Sequence, residues 1–92
     1  MKVSICTLIV TFNPELLRFS RVVSAALDIS DRVFIIDNKS ENVDDLSNIC
    51  NSFSDYRKLE IIKFKQNYGI AYALNEGVKK CLNRENQISS LH

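Results

Sequence analysis

Three short, almost uninterrupted runs of apolar and β-branched residues mark the chain. They are Val3–Val10 (VSICTLIV), Arg32–Asp37 (RVFIID) and Leu59–Phe64 (LEIIKF). A short apolar run bounded by turn residues is typical of a strand that is covered on both faces of its sheet. The pattern therefore predicts three buried strands.

Apolar residues between and after these runs recur at helical spacing. The first helix is predicted to begin at Asn13-Pro14, because Asn is a favoured N-cap and Pro a favoured first helical residue. The second is predicted to be capped by Asn42, with Asp45 three residues further on. The third fades into a polar tail, residues 83–92. The inner stripes of the three helices are predicted to be Leu16, Phe19, Val23, Ala26 and Leu27; Leu46, Ile49, Cys50 and Phe53; and Ile70, Leu74, Val78 and Cys81.

Strands and helices alternate along the whole chain. Such alternation produces right-handed crossovers and a parallel sheet with helices on both faces. The predicted fold class is therefore α/β: a three-layer, Rossmann-like βαβαβα half domain, the mononucleotide-binding half of a doubly wound fold. Ninety-two residues suffice for one small domain, so residues 1–92 are predicted to form a single unit.

Composition argues against some classes of binding partner and indicates a cellular compartment. A formal net charge of +1 gives no electrostatic argument for a nucleic acid or an anionic membrane. Three widely spaced cysteines without a C-x-x-C pair predict neither a zinc site nor a disulfide framework, and favour a reducing, cytoplasmic setting. The Val3–Val10 run is too short to span a bilayer and lacks the flanks of a cleavable signal. We therefore expect no nucleic acid partner, no transmembrane segment and no secretion.

Polar residues follow each predicted strand at the edge where ligands bind in parallel sheets. The three tips are Thr11-Phe12-Asn13, Asp37-Asn38-Lys39-Ser40 and Gln66-Asn67-Tyr68-Gly69. Three such tips on one edge suggest a binding site. The alternative is that Asn, Asp and Ser simply favour turns, an explanation that suffices for each tip taken alone.

Asp37 is the most informative of these residues, because a carboxylate after VFII is costly if it is buried without partners. At the end of a strand it can accept hydrogen bonds from a ribose hydroxyl or from the N–H of a base. Alternatively, it caps the turn formed by residues 38–40. Residue type alone does not choose between these two roles.

The sequence lacks the residues that several common kinds of functional site require. Gly69 and Gly77 are the only glycines, so no G-x-G-x-x-G or Walker-type phosphate loop follows the first strand. The sole histidine is the last residue, His92, and no pairing with Ser or Cys predicts a catalytic triad. Asp44 and Asp45 look like a metal-binding pair, but in the first turn of the second predicted helix they complement the helix dipole.

Three motifs together resemble the opening of glycosyltransferase family 2: VSICTLIVTFNP, VFIIDNKS and NYGIAYALNEGV. The nearest resemblance is to rhamnosyltransferase-type members, whose pattern is similar to I-V-T-[YF]-N-P, [VI]-D-N-x-S and N-x-G-[IL]-A-x-A-x-N-x-G. The last motif is the most specific, and it matches at Asn67, Gly69, Ala71, Ala73, Asn75 and Gly77. The resemblance covers Lys2 to about Leu82.

The resemblance implies a GT-A-type nucleotide-diphospho-sugar transferase fold. It also implies a reaction in polysaccharide biosynthesis that moves a sugar such as rhamnose from a nucleotide diphosphate to a glycan acceptor. The residues it implies at the nucleotide are Thr11, Phe12, Asn13, Asp37, Asn38, Asn67 and Gly69. The resemblance implies that Thr11 contacts the nucleoside, that Asp37 accepts a hydrogen bond from the base, and that the Asn67–Gly69 turn passes along the nucleotide. No catalytic residue is assigned.

The chain also departs from the family pattern. Lys39 stands where a glycine is common, so that turn must tolerate a side chain. In the family, a fourth strand leads to an acidic D-x-D motif that binds Mn or Mg on the diphosphate, and a later carboxylate acts as general base. Here the chain continues NRENQISSLH, and it contains no D-x-D.

The resulting expectation is the N-terminal, nucleotide-binding part of a truncated transferase domain, inactive by itself and without a metal or other cofactor of its own. A fourth strand would pair with Val3–Val10, so the open edge of that strand predicts a homodimer. The alternative is a non-catalytic half-Rossmann binding or assembly module, because fold does not dictate function.

Overall fold

The computed structural model describes the backbone of residues 4–89 and the side chains of residues 4–82. Within these residues the elements are β1 Cys6–Thr11, α1 Leu16–Ile29, β2 Arg32–Asp37, α2 Val43–Ser52, β3 Leu59–Lys63 and α3 Ile70–Ser89, with a short 3-10 turn, Tyr56–Lys58, before β3. The predicted order of strands and helices is confirmed. Val3, the first residue of the first predicted strand, lies outside the described residues.

The three strands form one parallel sheet in the order β1-β2-β3. Thr11 at the end of β1 lies opposite Asp37 at the end of β2, and Asp37 lies opposite Lys63 at the end of β3. The strands therefore end at the same level, and their polar tips share one edge. β2 is central and fully buried from Val33 to Asp37, whereas β1 is an edge strand.

Helices cover both faces of the sheet, as the fold class requires. Alternate residues of β2 point to opposite faces, so Val33 and Ile35 pack under α1 and α2 while Phe34 and Ile36 pack under α3. The buried residues of the first cluster are Phe19, Val23, Ala26, Leu27, Val33, Ile35, Leu46 and Cys50. Those of the second are Phe34, Ile36 and Ala73, with Cys6, Leu8, Val10, Ile62, Phe64 and Cys81 packed against them. The predicted Rossmann-like half domain is confirmed.

The predicted inner stripe of α3 is largely wrong. Ile70, Leu74 and Val78 are 67%, 42% and 44% exposed, whereas Ala73 has no exposed surface and Gly77 is buried. The small residues face the sheet because they let the helix approach closely: a Cβ on Gly77 would lie 3.0 Å from a methyl carbon of Leu8. α3 also continues to Ser89, into the segment predicted to be a polar tail.

The predicted caps of α1 and α2 are also corrected. Glu15, not Asn13, is the N-cap residue of α1, and Pro14 precedes the helix. Asn13 has a positive φ of 48° and bonds to another loop instead. Asn42 does occupy the N-cap position of α2, but its side chain makes no capping hydrogen bond and donates to the Pro14 carbonyl.

Cys6 in β1 and Cys81 in α3 are joined by a disulfide, which overturns the expectation of none. The two residues are 75 positions apart, and only the packing of α3 on the sheet brings them together. The cysteine argument for a reducing setting therefore no longer holds. Cys50 is a buried free thiol.

No helix within the described residues has the length and apolar content needed to cross a bilayer.

Candidate functional site

Asp37 is buried at the carboxyl end of the central strand, between the ends of the other two strands. Its side chain has no exposed surface and accepts three hydrogen bonds. The Thr11 hydroxyl donates to Oδ1 at 2.7 Å, and Ser40 donates to Oδ1 from its hydroxyl at 2.5 Å and to Oδ2 from its backbone N–H at 2.8 Å. These bonds offset the cost of burying the carboxylate, since bonds to an ionised acceptor are roughly twice as strong as neutral ones.

This geometry matches the capping role of Asp37. Its two bonds to Ser40 close the turn after β2, and its bond to Thr11 ties the end of β1 to that turn. Lys39, inside the turn, has a positive φ of 69° and an exposed side chain. The turn thus tolerates a side chain at the position where a glycine is common, because the bonds on either side of Lys39 hold the left-handed backbone.

The loop after β1 and the loop after β2 are joined by three further hydrogen bonds. The Asn13 N–H donates to the Ser40 hydroxyl at 2.7 Å, and the Glu41 N–H donates to Asn13 Oδ1 at 2.7 Å. Asn42 Nδ2 donates to the Pro14 carbonyl at 3.0 Å. The first two tips are therefore one structural unit, with Asn13 as its link rather than as a helix cap.

Asn38 joins the third tip to the other two. Its Nδ2 donates to the Gly69 carbonyl and its Oδ1 accepts from the Tyr68 N–H, both at 3.3 Å. Within that tip, Asn67 Oδ1 accepts from the Gly69 N–H at 2.8 Å, and Gly69 has a φ of 86°, where an L side chain is strained. The loop after β2 and the turn before α3 therefore meet at the carboxyl ends of the strands. We call the surface formed by the three tips, residues 11–13, 37–40 and 66–69, the rim.

The seven predicted site residues differ in what they offer to a ligand. Thr11, Asp37 and Asn38 are buried and bonded to one another's loops. The exposed ones are Phe12, Asn13, Asn67 and Gly69. Phe12 presents the largest surface, at 55% exposure. The buried residues hold the three loops in position, and the exposed residues form the surface that a ligand can contact.

Two features of the site were missed from the sequence. Closure of the turn between Asp37 and Ser40 was one of the two predicted roles of Asp37, but the bond from the Asn13 N–H to the Ser40 hydroxyl was not predicted. Phe64, Tyr68 and Tyr72 form an aromatic cluster with ring centroids 4.6 to 5.6 Å apart. Their spacing crosses from a strand end to a helix, so helical periodicity alone does not show it.

The rim carries exposed positive charge. Lys39 lies in the turn after β2, Lys63 ends β3 and Lys65 follows it, and all three are exposed. The ion pairs found within residues 4–82 are Arg32–Glu60 and Glu76–Lys79, which leave these three lysines available to an anion.

Within residues 4–82, no set of side chains is placed to hold a metal ion. The part of the chain that the structure describes contains no group of three His, Cys, Asp or Glu side chains placed to hold a metal ion. Asp44 and Asp45 are exposed in the first turn of α2, as expected of carboxylates that complement the helix dipole. The divalent metal that the resemblance implies thus finds no set of ligands among these residues.

Comparison with known proteins agrees with this arrangement. The family model described as "Glycosyl transferase family 2" matches residues 6–84, most of the chain. No curated protein and no solved structure is similar enough to the chain to give a match.

Proposed function

The chain belongs to glycosyl transferase family 2, and we propose that it is the nucleotide-sugar-binding part of a rhamnosyltransferase-like enzyme of polysaccharide biosynthesis. The proposed donor is a nucleotide diphosphate sugar such as one of rhamnose, and the proposed acceptor is a glycan. The observation that carries the proposal is the hydrogen-bonded convergence of three strand tips on one rim, through Asp37 and Asn38.

The exposed residues of the rim supply the direct contacts in this proposal. The Phe12 ring stacks on the base, because every base offers a π-face to an exposed aromatic ring. Asn13 and Asn67 offer amide groups to the ribose and the base, and the Gly69 turn offers backbone without a Cβ. Asp37 does not contact the nucleotide in this proposal, because its buried carboxylate is bonded to Ser40 and holds the turn after β2. A direct bond from its carboxylate to the base requires that the Ser40 turn open.

The exposed lysines supply the complementary charge. A nucleotide diphosphate carries its negative charge on the two phosphates, and Lys39, Lys63 and Lys65 flank the tips of β2 and β3. Ammonium groups bind phosphate as point charges and need no fixed geometry. This contribution makes binding depend on ionic strength.

We further propose that this chain is inactive by itself. Sugar transfer requires charge neutralisation on the leaving diphosphate and a base positioned at the acceptor hydroxyl. The described residues offer no metal ligand set, and the Asp37 carboxylate is already occupied by Thr11 and Ser40. The proposed role is binding of the donor.

A nucleotide titration followed by NMR tests the binding proposal, using UDP, dTDP and GDP separately. We expect one of them to shift the amides of Phe12, Asn13 and residues 67–69. Phe12→Ala should weaken that binding about tenfold, the effect of losing one base–aromatic stack. Tyr56→Ala is the matched control, because Tyr56 is also about half exposed (49%) but precedes β3, at the opposite edge of the sheet. If none of the three nucleotides shifts the rim, the binding proposal fails.

The alternative is a non-catalytic binding or assembly module. The open edge of β1, through which a homodimer is expected, favours it. A chain that associates but leaves the rim unshifted by all three nucleotides would support this second function.

A cytoplasmic location is part of the proposal, and the disulfide makes it testable. Thiols in that compartment are kept reduced, so Cys6 and Cys81 are expected to be thiols in the cell and to pair on oxidation. Alkylation before lysis, followed by mass spectrometry, distinguishes the two states. An oxidised Cys6–Cys81 pair in freshly trapped cells would contradict a cytoplasmic location.

A further inference from the structure

The aromatic cluster of Phe64, Tyr68 and Tyr72 presents two tyrosine rings to solvent. Tyr68 and Tyr72 are 43% and 45% exposed, and their ring centroids lie 4.6 Å apart with the ring planes inclined by 35°. Phe64 is partly buried against the sheet and meets both tyrosines edge to face, at 5.3 and 5.6 Å. Edge-to-face contacts at these distances are attractive, so Phe64 holds the two rings together as one aromatic surface.

This cluster lies at the β3 edge of the sheet, the edge opposite to β1. Phe64 directly follows β3, and its N–H donates to the Asp37 carbonyl at 2.9 Å. The Tyr68 N–H donates to Asn38 Oδ1 at 3.3 Å, which fixes Tyr68 in the rim. Tyr72 follows in the first turn of α3. The aromatic surface therefore begins in the rim and continues along α3.

Polar side chains follow and precede the two rings. Gln66 and Asn67 are exposed in the turn before α3. Asn75 and Glu76 come three and four residues after Tyr72, so they are its neighbours on the surface of the helix, and Asn75 is exposed while Glu76 is partly exposed. A protein or lipid partner selects a large continuous apolar patch. Two rings bordered by amides and a carboxylate fit a smaller ligand that is itself part apolar and part polar.

A sugar ring has this combination of surfaces. The faces of a pyranose carry C–H bonds, whereas its hydroxyl groups project outward around the ring. The C–H hydrogens pack on the negative π-face of an aromatic ring. The hydroxyls then reach the amide and carboxylate groups beside the rings, which donate and accept hydrogen bonds. The family to which the chain belongs transfers sugars, so a saccharide is the ligand of this chemistry that the protein meets.

We propose that the aromatic cluster binds a sugar ring of the glycan acceptor, beside the nucleotide and not in its place. The inference rests on the proposed function, which requires a glycan as well as a nucleotide donor. Tyr68 and Tyr72 stack on the sugar, and Asn75 and Glu76 meet its hydroxyls. The bound sugar is an internal one, which the cluster holds while another part of the glycan reacts.

The direction of α3 explains why a chain of sugars fits better than the single sugar of the donor. α3 begins beside the rim and runs toward the other end of the sheet, where Cys81 is bonded to Cys6 at the start of β1. A glycan on Tyr72 can therefore continue along the helix, past Asn75 and Glu76. A sugar attached to a nucleotide in the rim is confined to the rim by its diphosphate.

Titration with saccharides that carry no nucleotide tests this proposal. The probes are methyl α-L-rhamnoside, a linear oligorhamnoside and maltoheptaose. The chain has no tryptophan and three tyrosines, two of them in the cluster, so its fluorescence reports binding there. We expect at least one oligosaccharide to change this fluorescence and to shift the amides of Tyr68, Tyr72 and residues 75–76 in NMR spectra. If none of the three probes does so, the proposal is overturned.

Substitutions at Tyr72 separate stacking from general surface effects. Tyr72→Ala should weaken saccharide binding about tenfold, because a stacking ring is lost. Tyr72→Phe should retain the binding, since the ring rather than the hydroxyl makes the contact. Tyr56→Ala is the matched control, because Tyr56 is the third tyrosine and is similarly exposed (49%) but precedes β3. Equal weakening in Tyr56→Ala and Tyr72→Ala would contradict the assigned surface.

A competition experiment distinguishes the saccharide site from the nucleotide site. Saturation with whichever of UDP, dTDP and GDP binds should leave the saccharide-induced shifts of Tyr72 and residues 75–76 in place. Loss of those shifts, or a Tyr72→Ala variant that binds nucleotide as poorly as saccharide, would assign the cluster to the nucleotide site and refute the inference. Nucleotide binding without saccharide binding refutes this inference alone, whereas saccharide binding without nucleotide binding refutes the proposed donor site.

Discussion

At the scale of single residues, Asp37 is the buried carboxylate that links two loops. It sits between the end of β1 and the turn after β2, and its carboxylate takes bonds from Thr11 and Ser40. A buried acceptor that satisfies three donors is expected to matter for stability as well as for binding, because each donor left unpaired keeps its desolvation penalty.

Replacing Asp37 with Asn should destabilise the fold by about 2 kcal/mol. The amide preserves the volume but turns one acceptor oxygen into a donor that faces the Thr11 or Ser40 donors. Urea unfolding followed by circular dichroism measures the change. Asp45→Asn, at an exposed carboxylate in α2, should stay within about 0.5 kcal/mol. Equal stability of the two variants would contradict the role assigned to Asp37.

Cys50 should make stability depend on pH in the alkaline range. Burial raises the pKa of its thiol from 9.0 to about 11. Below pH 9 both the folded and the unfolded chain hold this proton, so the stabilisation is fully present. Above pH 9 the unfolded chain loses the proton first, and stability falls until about pH 11, by up to about 3 kcal/mol.

Comparing the chain with Cys50→Ala isolates this effect, because the variant lacks the titrating group. The free energy of unfolding, measured by urea at intervals from pH 8 to pH 11, should fall more steeply for the native chain. Parallel curves would show that the buried thiol does not control this pH dependence.

At the scale of elements, the disulfide links β1 to α3. It closes a loop between residues 75 positions apart. Cross-linking a loop of this length reduces the conformational entropy of the unfolded chain and so raises its free energy by about 4 kcal/mol. That is a large part of the stability of a small domain. The bond also fixes α3 to β1, and α3 begins directly after the Gly69 turn, which is part of the rim.

Reduction should therefore lower the urea midpoint of the native chain strongly. The Cys6→Ser/Cys81→Ser variant should resemble the reduced chain and should not respond to reductant. A thiol titration of the unfolded chain, purified in air without reductant so that Cys6 and Cys81 have paired, should find Cys50 alone. Three free thiols, or a midpoint that ignores reductant, would contradict the assigned disulfide.

At the scale of the whole molecule, the described residues bring three strand tips together on one rim and hold no group of side chains placed to bind a metal ion. Incubation with a nucleotide sugar and manganese should release no more nucleotide than a control without protein. The reason is that the described residues provide no metal ligand set. Release above that control would refute the proposed inactivity.

Element order and the position of the rim were predictable, because they depend on local patterns. Runs such as RVFIID indicate strands, and the predicted inner stripe of α1 is buried from Phe19 to Leu27, whereas its first residue, Leu16, is exposed. The ends of parallel strands must meet at one edge, so three polar tips were expected to converge. Asn13 was misjudged as a cap because its residue type favours helix starts and loop contacts alike.

The amino-acid order contains enough local information for the strands, the helices and the family motifs, since each is a property of neighbouring residues. Three other features arose from contacts between distant residues: the small-residue face of α3 on the sheet, the Cys6–Cys81 bond and the burial of Asp37. Apolar periodicity alone did not show that Ala73 and Gly77, rather than Leu74 and Val78, allow the closest packing. That choice depends on the shape of the sheet surface around Leu8 and Ile36, which exists only in the folded chain.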